Sequence, residues 1–205
     1  MALLCLVPLA AQKPGPKQHP AIGLQAGYFA GTPKFKNLEN TSFDAYSGIS
    51  YGLFARLHIK NGYFVQPEIN LLKREIRGVF FLENGGSTPL RLDQKITDIG
   101  LLVHKAFGKK SFRPFAALGM SLGFFSAKKD REIFDPGPGL TYQLEFRSDD
   151  TNGILEAGAE LDLPLKAALT LAGRYYLAGN NIRFYNSHSA NLNRWQLGLS
   201  LAKYF

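Results

Sequence analysis

Apolar and polar residues alternate along most of this chain with a period of two residues, not the 3.6 of a helix. In residues 21–29, Ile22, Leu24, Ala26 and Tyr28 share one face while Gly23, Gln25 and Gly27 share the other. Residues 50–59 set Tyr51, Leu53, Ala55, Leu57 and Ile59 against Gly52, Phe54, Arg56 and His58. The same alternation runs through residues 63–72, 96–106, 112–126, 153–163, 168–176 and 194–205, so eight strands are expected. One face of each is mainly apolar over about nine to eleven residues, the length that carries a tilted strand across a bilayer.

The connections alternate as well. Long ones (30–48, 73–95, 127–152 and 177–193) are separated by short ones at Lys60-Asn61-Gly62, 107–111 and 164–167. An up-and-down barrel in an outer membrane has this asymmetry, with tight periplasmic turns and longer external loops. A soluble sandwich has no reason to keep it. The expected fold is therefore all-β, an eight-stranded antiparallel up-and-down transmembrane β-barrel with periplasmic termini and four external loops.

The second face of the strands carries charges of both signs: Arg56, His58, Glu68, Asp98, His104, Glu156, Glu160, Asp162 and Arg174. Eight strands leave an interior just wide enough for side chains, so these residues are expected to fill it as a polar network, without an open pore. Tyr28, Tyr51, Tyr63, Phe112, Tyr175, Trp195 and Phe205 fall near strand ends, where aromatic side chains suit the two membrane interfaces.

Composition narrows the alternatives. With 45% hydrophobic and 20% charged residues the chain is not of the disordered type. Its mean hydropathy is near neutral, and it has no apolar run of the length a membrane helix needs. The net charge of +8 is spread without a run of five basic residues, so nucleic acid is not an expected partner. Outer-membrane lipid and anionic lipopolysaccharide are the expected neighbours of the basic loops. Residues 1–11 read as a signal-peptide remnant, residues 12–20 as a Pro-rich leader, and residues 21–205 as the barrel domain. Leu4 is too large for the residue before a lipidated cysteine, which argues against Cys5 as an anchor; cleavage near residue 11 leaves a chain without cysteine or disulfide. The closing stretch Leu201-Ala202-Lys203-Tyr204-Phe205 is similar to the C-terminal signal read by the barrel-assembly machinery, an expected partner during biogenesis.

Several stretches resemble the PorT-like outer-membrane β-barrel family common in Bacteroidota. They are Gly23-Leu24-Gln25-Ala26-Gly27, Phe64-Val65-Gln66-Pro67-Glu68-Ile69, Ile99-Gly100-Leu101-Leu102-Val103-His104-Lys105, Arg113-Pro114-Phe115-Ala116-Ala117-Leu118-Gly119 and Gly158-Ala159-Glu160-Leu161. Gly100 stands where the family usually has a proline before its Leu-Leu pair. The resemblance covers roughly residues 20–205; it implies the barrel architecture and brings no catalytic motif.

One hydrolase-like motif is present. Gly119-Met120-Ser121-Leu122-Gly123 fits G-x-S-x-G, with Asp162 and His188 following in the order of a hydrolase triad. That motif works only on a strand–turn–helix corner, and here alternation runs straight through it. His188 between Ser187 and Ser189 is the seed of a second enzymatic alternative, a lipid-modifying hydrolase at the outer rim. No metal site is expected, because the histidines lack zinc-ligand spacing and the acidic pairs lack that of an EF-hand. No cofactor is expected. The remaining alternative is a soluble lipocalin-like barrel with its apolar face turned inward. The favoured reading is non-enzymatic, a structural or loop-mediated binding role for which a protein partner at the external loops is expected. Its candidate contacts are Lys128, Lys129, Arg131, Phe134, Tyr142, Arg183 and Tyr185.

Overall fold

The computed structural model describes residues 19–36, 41–81, 87–108, 111–125, 131–137, 140–146, 149–178, 180–184 and 188–205. All of its regular structure is β: β1 (Ala21–Gly31), β2 (Lys34–Lys36), β3 (Thr41–Phe43), β4 (Tyr46–Lys60), β5 (Tyr63–Phe81), β6 (Ser87–Ala106), β7 (Phe112–Phe125), β8 (Arg131–Gly137), β9 (Leu140–Phe146), β10 (Asp149–Leu163), β11 (Ala167–Ala178), β12 (Asn180–Phe184), β13 (His188–Asn191) and β14 (Arg194–Tyr204).

Eight of these strands close on themselves. The order β5-β4-β1-β14-β11-β10-β7-β6 is completed by pairing of β5 with β6. Every neighbouring pair is antiparallel, and the first strand lies against the last, Ala21 opposite Tyr204 and Gly31 opposite Arg194. A closed wall leaves no unpaired sheet edge in the hydrocarbon layer, where a free N–H or C=O would cost several kcal/mol.

The short turns follow from local backbone chemistry. Asn61 (φ 53°) and Gly62 (φ 77°) adopt the left-handed backbone of a two-residue hairpin turn, which asparagine and glycine tolerate best. The turn between β10 and β11 also goes left-handed, at Leu165 (φ 62°) and Lys166 (φ 57°). At the other end the strands run on beyond the membrane-spanning length. The β5–β6 hairpin stays in register from Tyr63↔Lys105 to Phe81↔Ser87. The expected long loops are therefore largely strand: β2, β13, β12, β9 and β8 form a second, five-stranded sheet at that end, and β3 adds to β5. No apolar band marks these segments in the sequence. Two local hairpins, β8–β9 and β12–β13, are joined into one sheet by pairing between segments distant in the chain, Lys36 with Ser189 and Arg183 with Glu145.

The wall sorts its residues by parity. Ile22, Leu24, Leu53, Ile69, Leu101, Leu118, Leu171 and Leu199 lie on the outer surface, each between 43% and 66% exposed. All seven aromatics expected at the interfaces are exposed too. On β6 the outer row runs from Lys95 through Ile99, Leu101 and Val103 to Lys105. Ten residues at about 3.3 Å each, tilted by about 40°, span about 25 Å, the height of an outer-membrane apolar band. An inside-out, lipocalin-like arrangement would place these leucines in the lumen, and they are not there.

Candidate functional site

The lumen is filled with charge. At the short-turn end Glu160 pairs with both Arg56 and Arg113 and accepts a hydrogen bond from the Tyr204 hydroxyl at 2.8 Å. Arg113 also reaches Asp162 at 2.9 Å. Arg56 Nε donates to Gln66 Oε1 at 2.7 Å, and Gln66 passes the chain on to Glu68 at 2.9 Å.

In the middle, Arg174 grips Glu68 with two parallel bonds, Nη1 to Oε1 at 2.6 Å and Nη2 to Oε2 at 2.9 Å, while its Nε pairs with Glu156. Such a fork is among the stronger charge-assisted contacts a protein makes. Gln25 and Asn70 add hydrogen bonds to Glu68 at 3.2 and 3.0 Å. Toward the external end Arg194 pairs with Asp98 at 3.0 Å and lies over the Tyr176 ring at 3.9 Å. Arg74 donates to Gln94 at 2.5 Å and sits over Tyr46. Five arginines (56, 74, 113, 174 and 194) thus face five carboxylates (68, 98, 156, 160 and 162) along the barrel. Buried charge is costly unless paired, and Arg56, Arg113, Arg174 and Arg194 are each paired to a carboxylate.

Inward glycines make the room. A Cβ on Gly100 would stand 2.9 Å from Cγ of Glu68, and one on Gly23 would meet the Phe54 ring. Apolar residues seal the levels between the charges. Ala21, Phe54, Ala168, Ala202 and Tyr204 pack at the short-turn end, and Leu102, Ala117, Ile154 and Tyr176 pack higher up.

Of the expected interior residues, Arg56, Glu68, Asp98, His104, Glu156, Glu160 and Arg174 are buried in the lumen. Asp162 is half-buried at the rim on Arg113. His104 lies against Phe115 at 5.3 Å. His58 stays half-buried at the short-turn rim, edge-on to Phe64 at 5.2 Å, apart from the ion-pair chain. Sequence reasoning did not name Arg74, Arg113 and Arg194. Each has the inward parity of its strand: Arg74 lies past the end of the strand drawn over 63–72, while Arg113 and Arg194 stand at the very start of the strands drawn over 112–126 and 194–205.

Of the expected contact residues, Lys128, Lys129 and Tyr185 lie outside the described residues. Arg131, Phe134, Tyr142 and Arg183 are strand residues of the external sheet. Its register sets Arg131 opposite Glu145, Glu145 opposite Arg183, and Phe134 opposite Tyr142.

The hydrolase-like residues are not assembled. Gly119–Gly123 is straight strand within β7, and Ser121 is buried at the level of Asn152. Asp162 sits at the opposite end of β10, and His188 belongs to the external sheet. Among the described residues no group of three His, Cys, Asp or Glu is placed to hold a metal ion. A shallow depression of about 580 Å³ lies on the outer wall, where Ala116, Ala157 and Gly173 sit between Leu118, Leu155 and Trp195. It faces lipid, not the lumen.

A closed eight-stranded wall, apolar outside and charged inside, is the architecture of small outer-membrane barrels. A family model described as "Outer membrane protein beta-barrel domain" matches residues 10–183. The chain belongs to that family. As an outer membrane protein beta-barrel it sits in the cell outer membrane; barrels of this kind carry their short turns on the periplasmic side. Solved structures similar to it include the outer membrane protein OprG from Pseudomonas aeruginosa, at 14% identity and TM-score 0.59, covering 92% of this chain and 97% of that one. Neisserial surface protein A is similar at 15% identity and TM-score 0.50, covering 90% of this chain and 99% of that one. At such identities the likeness speaks for the fold alone. No curated protein matches the sequence.

Proposed function

We propose that this barrel is a non-enzymatic outer-membrane protein of PorT-like type, whose working surface is the external β extension carried on a plugged, non-conducting barrel. The observation that carries this reading is the ion-pair chain from Asp162 and Arg113 to Arg194 and Asp98, which occupies the lumen along its length. A barrel whose interior is spent on internal pairing offers its external end for contact. There the register aligns Arg131, Glu145 and Arg183 across three strands, a row of alternating charge suited to a polar protein partner.

Lipopolysaccharide is the proposed lipid neighbour at the upper edge of the apolar band. Lys73 and Lys95 are cross-strand neighbours on the outer wall; Glu75 and Asp93 come next, and Arg77 stands two steps above, paired to Glu75 at 2.6 Å. Phosphates held at the level of Lys73 and Lys95 would meet two ammonium groups. The barrel-assembly machinery is the proposed partner during insertion, reading the closing β14.

Two measurements test the reading. Expressed with an intact signal, the protein is expected in the outer-membrane fraction as a band that shifts on boiling. Reconstituted in a planar bilayer, it is expected to show no steady ion conductance. A stable open channel would sink the plugged-barrel reading, and turnover of membrane lipid lost in His188→Ala would sink the non-enzymatic one.

A further inference from the structure

The net charge of +8 is not where the sequence suggested. The external segments 30–48, 73–95, 126–152 and 177–193 hold eleven acidic residues and, besides the buried Arg74, eleven basic ones. The lumen balances five arginines with five carboxylates. Apart from Lys13 and Lys17, the excess therefore falls on the short-turn end: Lys60, Lys105, Lys166 and Lys203, with Lys109 and Lys110 of the β6–β7 connection lying outside the described residues. Among the described residues the side-chain carboxylates at that end are Asp162 and Glu160, and both are engaged by Arg113.

We propose that this rim is a docking ring for the anionic phosphodiester headgroups of the periplasmic phospholipid leaflet, contacted by Lys60, Lys105, Lys166 and Lys203. The side-chain geometry favours lipid over a soluble acidic partner. Lys105 and Lys203 have outward parity, continuing the rows Ile99-Leu101-Val103 and Leu197-Leu199-Leu201, so they leave the wall sideways at the edge of the apolar band. Lys105 Nζ lies 4.0 Å over the Tyr63 ring and donates to the Asn61 carbonyl at 2.5 Å. That fixes the ammonium at headgroup depth with two N–H donors left for a phosphate. Lys166 adjoins Lys203 through the Ala167↔Lys203 pairing and the 2.8 Å bond from Tyr204 N to Lys166 O.

Between these lysines the turn presents Leu165, which is 91% exposed and holds a left-handed backbone (φ 62°) where glycine or asparagine would be the relaxed choice. Phe205 and Phe112, each 60% exposed, complete an apolar and basic rim. Exposed leucine and aromatics beside lysine are the composition of a surface that rests in an anionic membrane interface. The proposal depends on the periplasmic placement of the short turns.

The test uses the full folded chain in micelles doped with equal phosphatidylglycerol and phosphatidylcholine, with retained lipids counted by native mass spectrometry. The expected result is preferential retention of phosphatidylglycerol at low salt, weakening by roughly five-fold per lysine removed and fading at high salt. The quadruple change Lys60→Gln, Lys105→Gln, Lys166→Gln and Lys203→Gln is expected to bring the two lipids to parity, with the heat-modifiable band intact. Lys73→Gln with Lys95→Gln, at the opposite end, is expected to leave the preference unchanged. If the quadruple variant does not fold, Lys166→Gln with Lys203→Gln alone is expected to remove about half of the preference on a logarithmic scale. Equal retention by the unaltered protein, or a preference that survives the lysine changes or is lost with Lys73 and Lys95 instead, would overturn the proposal.

Discussion

Arg174 is the residue on which the lumen turns. It holds Glu68 with a two-pronged contact and Glu156 with its remaining nitrogen, so its removal leaves two carboxylates buried side by side. Breaking such a group by deleting one partner costs about 3–5 kcal/mol, whereas replacing all members by neutral groups of similar size is often near neutral. Arg174→Met is therefore expected to lower the urea midpoint of the folded barrel sharply. Arg174→Met combined with Glu68→Gln and Glu156→Gln is expected to recover most of the loss. Equal destabilisation by the single and triple variants would refute the pairing. Glu68 and Arg174 were legible in the sequence because alternation continues cleanly on both sides of them. Arg113 and Arg194 were harder to see, since each opens its strand's inward row, where a pattern of period two has neighbours on one side only.

At the scale of the element, the short turns fix the register and the outer rows fix the depth. A one-residue slip of any strand would turn its leucines into the lumen and its charges into lipid, so the turns need to hold. Gly62 (φ 77°) is the clearest case, because a β-branched residue resists that backbone. Gly62→Val is expected to destabilise by about 1–2 kcal/mol, read as a lower unfolding midpoint with the heat shift retained; an unchanged midpoint would contradict the assignment of the turn. The membrane-spanning parts of the strands were readable because each is a long alternating run. The external sheet was not. β2, β12 and β13 are three to five residues long; β12 and β13 form a local hairpin, but it is tied to the rest of the sheet by strands far away in the chain, as when Lys34 pairs with Asn191. Nothing local in the sequence announces such pairing.

At the scale of the whole molecule, the barrel is a soluble protein turned inside out: leucine and aromatics meet the lipid, and arginine and glutamate meet one another. Depth along the wall then sets the cost of a charge. Leu199 lies midway on the outer row of β14 between Trp195 and Lys203 and is 51% exposed. Leu199→Arg is expected to destabilise the folded state by about 2–4 kcal/mol in lipid vesicles, while an arginine near the interface costs about 0–1 kcal/mol. A soluble barrel would tolerate Leu199→Arg on its exposed face without loss. The most direct measurement uses the single tryptophan of the chain, Trp195, which is 50% exposed on the outer wall beside Tyr28. In reconstituted vesicles its fluorescence is expected to be quenched by phospholipids brominated on the acyl chain and to be shielded from aqueous iodide. Quenching by iodide with no effect of brominated lipid would contradict a lipid-facing wall, and with it the placement of the barrel in the membrane.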